Sequence, residues 1–246
     1  MTDFNHSKHP PPRPGHPRHP SHVSNVVVVF IEGCPSAGKS TFIQQTAAEI
    51  RNGTGAHVIV PPQPESMLGF DLRDLHFRDS KRWTFADLIA VATLRKNALA
   101  RTISTARQIS GTVVILSEGS LYTDFNVIAQ LHLPAMSEVE RAAFSYCSRI
   151  VLQSDYPDAN VIVRRVYVYV PAAICFDRGL KRLAQSYTCS AIARLHQLHM
   201  KSSASDLVID TSAPRSPAVA RLTAINLISS GLEAGWTPVM RRRGKK

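Results

Sequence analysis

A stretch built for chemistry begins at Gly33. Gly33-Cys34-Pro35-Ser36-Ala37-Gly38-Lys39-Ser40 has the spacing G-x-x-x-x-G-K-[ST], with the apolar β-branched run 26–31 before it and helix-compatible residues from Thr41 onward. Glycines at both ends of such a loop let backbone N–H groups curl around phosphate oxygens at the positive end of a helix. Lys39 would then reach the β- and γ-phosphates, and the Ser40 hydroxyl would ligate Mg²⁺. Gly33 to Thr41 are therefore the candidate cofactor-binding residues, and the chemistry is the grip of a nucleoside triphosphate, with ATP and Mg²⁺ the expected cofactors. Glu118 follows the apolar run 112–116, where a carboxylate reaches Mg²⁺ through water, so Ser40 and Glu118 form the candidate metal pair.

Such a loop works only if a strand delivers it and a helix follows it, and the rest of the chain has that alternation. Short β-branched runs at 26–31, 57–60, 112–116, 161–170 and 207–209 read as strands. Between them 40–51, 83–108, 120–131, 137–153, 172–186, 190–202 and 218–231 read as helices. Parallel strands joined by crossover helices give an α/β fold, a doubly wound five-stranded parallel sheet of the P-loop type, which binds ligands beyond the carboxyl ends of its strands. The charge-dense stretch 71–82 reads as a solvated loop, and secondarily as part of a lid.

Composition bounds the partners. The net charge of +11 suggests nucleic acid if spread over the fold, yet residues 1–25 carry +2 and residues 241–246 carry +5, leaving +4 for residues 26–240. A nucleic-acid partner is therefore not expected. Residues 1–25 hold six prolines and five histidines with almost no apolar side chain, and read as a disordered arm; 26–235 reads as one P-loop domain and 236–246 as a basic tail. Without an apolar run of membrane length or a secretory leader, the expected location is intracellular and cytoplasmic, or the host cell for a viral chain, with nuclear entry open to the basic tail. The four cysteines form no C-x-x-C pair and read as reduced thiols in packing roles.

Ile31-Glu32-Gly33 and Ala37-Gly38-Lys39-Ser40-Thr41-Phe42 resemble the P-loop opening of the deoxynucleoside kinase family, thymidine kinase-like members included. Arg82-Trp83-Thr84-Phe85, with Ala92 to Arg95 on the same helix, resembles the family's R-W-[ST]-F segment. Glu118-Gly119-Ser120-Leu121-Tyr122-Thr123-Asp124 is similar to its E-R-S-[VL]-Y-[ST]-D, and Cys175-x-x-Arg178-x-x-x-Arg182 is similar to its arginine-bearing lid. The resemblance implies transfer of the γ-phosphoryl group of ATP to the 5′-hydroxyl of a (deoxy)nucleoside, a reaction that asks for positioning and charge neutralisation more than covalent chemistry. By it, Arg178 and Arg182 close over the transferred phosphoryl, while Arg95, Asp124 and Trp83 serve the nucleoside side. The bare spacing also fits a solvated face for Arg178 and Arg182 and a structural ion pair for Arg95 and Asp124. A homodimer stays open.

This chain departs from the family on the substrate side. Gln63 of Val60-Pro61-Pro62-Gln63-Pro64-Glu65 stands where the family has the Glu of V-P-E-P, its general base, and an amide cannot take a proton. Gly119 replaces the Arg of E-R-S, Leu88 the base-reading Gln, and Ala184 a third lid arginine. Either Glu65 serves as the base, with Glu65, Glu118, Arg178 and Arg182 the catalytic set, or the protein is a catalytically silent nucleotide binder. A third reading is a monophosphate kinase, which shares the loop and lid, while the R-W-T-F and E-G-S-L-Y-T-D segments point to a nucleoside. His196-x-x-His199 has metal-compatible spacing without a third ligand nearby, and reads as surface or lid support.

Overall fold

The five β-branched runs become five strands of one sheet in the computed structural model, which describes residues 25–67, 72–153, 161–181, 187–202, 205–212 and 225–226. They are β1 (Asn25–Glu32), β2 (His57–Ile59), β3 (Thr112–Glu118), β4 (Val161–Tyr169) and β5 (Leu207–Asp210). Their order is β2-β3-β1-β4-β5, and every neighbouring pair is parallel. The helices are α1 (Lys39–Thr54), α2 (Pro64–Met67), α3 (Leu72–Arg78), α4 (Ser80–Ala106), α5 (Leu121–Thr123), α6 (Ala129–His132), α7 (Glu138–Gln153), α8 (Ala172–Lys181) and α9 (Cys189–Ser202). The architecture is α/β with an all-parallel sheet. Among the described residues no helix is long and apolar enough to cross a membrane.

β1 lies at the centre and is covered on both faces, which is why its sequence is apolar without alternation. Val27, Val29 and Ile31 pack with Phe42, Ile43 and Ile50 of α1, with Cys175 of α8 and with Ile192 and Leu195 of α9. Val26, Val28 and Phe30 face the other way, against Leu99 and Ala106 of α4. A third cluster joins Leu88 and Ala92 of α4 to Leu121, Phe125 and Phe144, so α4 bridges the sheet and the helices after β3.

Two expectations are corrected. The charge-dense stretch is helical: α3 buries Leu72 and His76 one turn apart, Asp74 pairs with Arg78 at 2.7 Å, and Asp79 caps α4 by accepting from the Arg82 amide. Its apolar signal was thin because half of the buried pair is a histidine. The helix expected over 120–131 is broken into α5, a π-helical turn (Asp124–Ile128) and α6, followed by a 3₁₀ turn (Leu133–Ala135) that contains Pro134. The N-terminal arm to residue 24, residues 182–186, the basic tail and nearly all of the helix expected over 218–231 lie outside the described residues.

Candidate functional site

Parallel pairing places Ile31 of β1 opposite Glu118 of β3, so the loop leaving β1 opens beside the carboxyl end of β3. The loop turns sharply. Gly33 has φ +150° and a Cβ there would stand 2.7 Å from the Val168 carbonyl oxygen, which leaves room for glycine only. The Ala37 amide donates to the Cys34 carbonyl at 3.2 Å, and α1 starts at Lys39 with Gly38 as its cap, a residue with no side chain to satisfy the first amides.

Lys39, Ser40 and Glu118 converge at this mouth. Ser40 Oγ donates to Glu118 Oε2 at 2.8 Å, and Lys39 Nζ lies 3.1 Å from the Cys34 carbonyl and 3.6 Å from Glu118 Oε1. Pro35, Ser36, Lys39 and Ser40 line a cavity of about 500 Å³, a volume within the usual range for small-molecule sites. Cys34 and Ala37 face the core, and Thr41 is exposed. Burial pushes the Cys34 thiol up to about 12, so this cysteine packs and does not react. Ser40 and Glu118 offer a hydroxyl and a carboxylate oxygen together, a donor set suited to a hard cation.

Arg95 and Asp124 meet across the same cavity. Arg95 reaches from α4, its Nε 2.6 Å from Asp124 Oδ2 and its Nη2 3.4 Å from Oδ1, and its Nη1 donates to the Glu118 carbonyl. Gly119 has φ +72°, and a Cβ there would lie 3.3 Å from the Arg95 guanidinium. The position that the family pattern fills with arginine is thus held in a left-handed turn with another arginine packed on it.

Leu88, Val91 and Arg95 recur at helical spacing on the lining face of α4. Trp83 stands off that lining and carries the Arg82 guanidinium over its ring at 5.1 Å, so the structure does not bring it to the substrate side with Arg95 and Asp124. Arg178 lies against the loop, its Nη1 3.5 Å from the Ala37 carbonyl. Arg182 and the side chain of Glu65 lie outside the described residues, while Gln63 lines the cavity.

Three ionisable lining residues, Glu32, Arg73 and Tyr187, were not among the candidate site residues. Glu32, at the end of β1, is 2% exposed; it accepts a hydrogen bond from Thr123 Oγ1, while its Oε1 is buried without a partner. Burial holds its carboxyl above the usual range, and the nearby Asp124 adds to this. A lone glutamate closing an apolar run was the available signal. Arg73 and Tyr187 also line the cavity, and nothing in their local sequence marks them. His196 and His199 are buried, not on the surface: His196 Nδ1 lies 2.5 Å from the Tyr167 hydroxyl and the His199 ring packs 4.7 Å from that of Tyr167. Among the described residues no group of three or more His, Cys, Asp or Glu side chains is placed to hold a metal ion.

The fold and the loop geometry therefore stand on this chain's own residues, since no protein-family model and no curated protein sequence matches it.

Proposed function

We propose that the chain is an ATP-dependent phosphotransferase of the deoxynucleoside kinase type, on a doubly wound P-loop fold, which moves the γ-phosphoryl group to the 5′-hydroxyl of a deoxynucleoside. The observation that carries this reading is the meeting of Lys39, Ser40 and Glu118 at the mouth of a cavity that continues to the Arg95–Asp124 pair. Triphosphate and acceptor would occupy the two ends of one space.

In this reading the first amides of α1 and the Lys39 ammonium bind the phosphates, and Ser40 and Glu118 hold Mg²⁺, which would offset charge on the phosphate oxygens. The acceptor oxygen bonds to the γ-phosphorus as its bond to the bridging oxygen breaks, and the acceptor loses its proton. We assign that proton to Glu65 on sequence grounds, since Gln63 cannot take it. Arg178, already against the loop, faces the transferred group, and Arg182 joins it by sequence alone.

A second reading, a silent nucleotide-binding protein derived from such a kinase, is favoured by one observation: Gln63 and Gly119 both line the cavity, where neither supplies a base nor a charge. Incubating the purified full chain with γ-labelled ATP, Mg²⁺ and each natural deoxynucleoside separates the two. Label on a nucleoside supports the enzyme; ATP binding without transfer to any of them leaves the binder; absence of ATP binding overturns both.

A further inference from the structure

The cavity has a second polar wall that phosphoryl transfer does not use. Asp87 of α4 is 2% exposed, pairs with Arg73 Nε of α3 at 3.1 Å, and faces His76 Nδ1 at 3.6 Å. His76, equally buried, meets His132 Nδ1 through its Nε2 at 3.1 Å, and His132 Nε2 meets the Tyr187 hydroxyl at 3.3 Å. The two ends of this chain of groups, Arg73 and Tyr187, line the cavity; Asp87, His76 and His132 stand behind the lining. The Tyr187 ring is seated edge-on against Phe77, another lining residue, at 5.3 Å between centroids.

Burial keeps both imidazoles neutral, pushing His132 down to about 4 and His76 below its ordinary value. A neutral imidazole has one donor and one acceptor, so the His76 nitrogen that carries the proton sets the direction of the whole row. Asp87 lies 3.6 Å from His76 Nδ1, a charge contact and not a hydrogen bond, and its carboxylate favours the proton on that nitrogen. In that tautomer His76 Nε2 accepts from the His132 Nδ1–H, His132 Nε2 accepts from the Tyr187 O–H, and the tyrosine oxygen is an acceptor. Arg73, anchored by the same carboxylate, has donors only.

We propose that Arg73 and Tyr187 determine which acceptor the cavity takes, Arg73 donating to and Tyr187 accepting from neighbouring groups on the polar edge of the acceptor substrate. That edge belongs to the base or to the sugar of a nucleoside. This inference rests on the nucleoside reading of the cavity.

The test is calorimetry on the full chain, with the four natural deoxynucleosides, their 2′,3′-dideoxy counterparts and ATP as separate titrants, for the wild type, Tyr187→Phe and Arg73→Lys. Each variant keeps its packing or its charge and loses the directed hydrogen bond. Affinity for the best-bound deoxynucleoside should fall about threefold to tenfold in Tyr187→Phe, the usual range for one neutral hydrogen bond, and at least about tenfold in Arg73→Lys, whose lost hydrogen bond is charge-assisted, with ATP affinity unchanged. Where transfer is measurable, the change appears in KM and not in kcat. A Tyr187→Phe penalty that vanishes with the dideoxy ligand places the contact on the sugar, and one that persists places it on the base. If the wild type binds a nucleoside and both variants bind it equally well, the inference is overturned and the kinase reading stands. Equal losses of ATP and nucleoside affinity in both variants also overturn it, as a merely structural effect. A wild type that binds ATP but no nucleoside removes the nucleoside reading itself, before any variant is made.

Discussion

Ser40 and Glu118 are 78 residues apart in the chain, and the hydroxyl of the first donates to the carboxylate of the second at 2.8 Å. Sheet order creates this contact. β3 is hydrogen-bonded beside β1 in parallel, with Ile31 opposite Glu118, so the end of one strand and the loop leaving the other must open on the same side. A carboxylate in register two residues before the phosphate-loop candidate is then a consequence of pairing.

Lys39 is the sharpest test of that mouth. Its ammonium is shared between the Cys34 carbonyl and Glu118, contacts that a triphosphate would replace. Lys39→Ala should reduce ATP binding below detection by calorimetry with the melting temperature little changed, and unchanged affinity would sink the ATP assignment. Glu118→Gln should behave differently, weakening binding of ATP only when Mg²⁺ is present, because its proposed partner is the metal.

Gly119 is expected to tolerate no side chain. At φ +72° any L-residue is strained, and the new Cβ would press on the Arg95 guanidinium at 3.3 Å. Gly119→Ala should cost at least about 1 kcal/mol in urea unfolding, and Gly119→Arg more. Replacing the glycine by the arginine of the family pattern is therefore no simple restoration of activity.

The Arg95–Asp124 pair offers a double-mutant cycle. Both side chains are largely buried, at 12% and 11% exposure, and they meet in a fork. Arg95→Met or Asp124→Leu alone leaves a buried charge without its counter-ion in this pair and should cost about 3–5 kcal/mol. The double variant removes both charges and should be more stable than either single one, as read by chemical denaturation. Additive costs would mean that the pair is not coupled.

Strand positions were legible in the sequence because a central parallel strand is buried on both faces, and 26–31 shows this as an unbroken apolar run. The residues of loop 33–40 were legible for another reason: their spacing is local, so one string contains them. What could not be read is long-range. Asp87 binds Arg73 across a turn between helices, and Tyr187 reaches His132 over 55 residues, so neither leaves a pattern in its own neighbourhood. α3 was missed because its buried face pairs Leu72 with a histidine among charged residues, where periodicity of apolar side chains has little to count. The break in the helix after β3 was missed because Asp124, the residue that starts the π-helical turn, is pinned by Arg95 from α4, a tertiary contact.

Glu32 yields the prediction with a definite sign in pH. Its carboxyl is fully buried at the end of β1, held by Thr123 and placed near Asp124, and burial raises its folded value above 4.5. In the unfolded chain the same group titrates at about 4.3. Below that value it is neutral in both states and has no effect on stability. As pH rises into the interval between the unfolded and folded values, the unfolded chain ionises first, so the native state binds more protons and stability falls with pH. Glu32→Gln removes this titration while retaining an acceptor for Thr123 Oγ1. Its amide nitrogen would lack a partner where Oε1 now lacks one, a cost that does not depend on pH. The diagnostic is therefore the difference in unfolding free energy between variant and wild type, followed by urea denaturation from about pH 4 to about pH 8. That difference should move steadily in favour of the variant as pH rises. A difference that stays flat across the range would show that Glu32 ionises in the native state as easily as in the unfolded one, and that its burial against Thr123 and Asp124 carries no electrostatic cost.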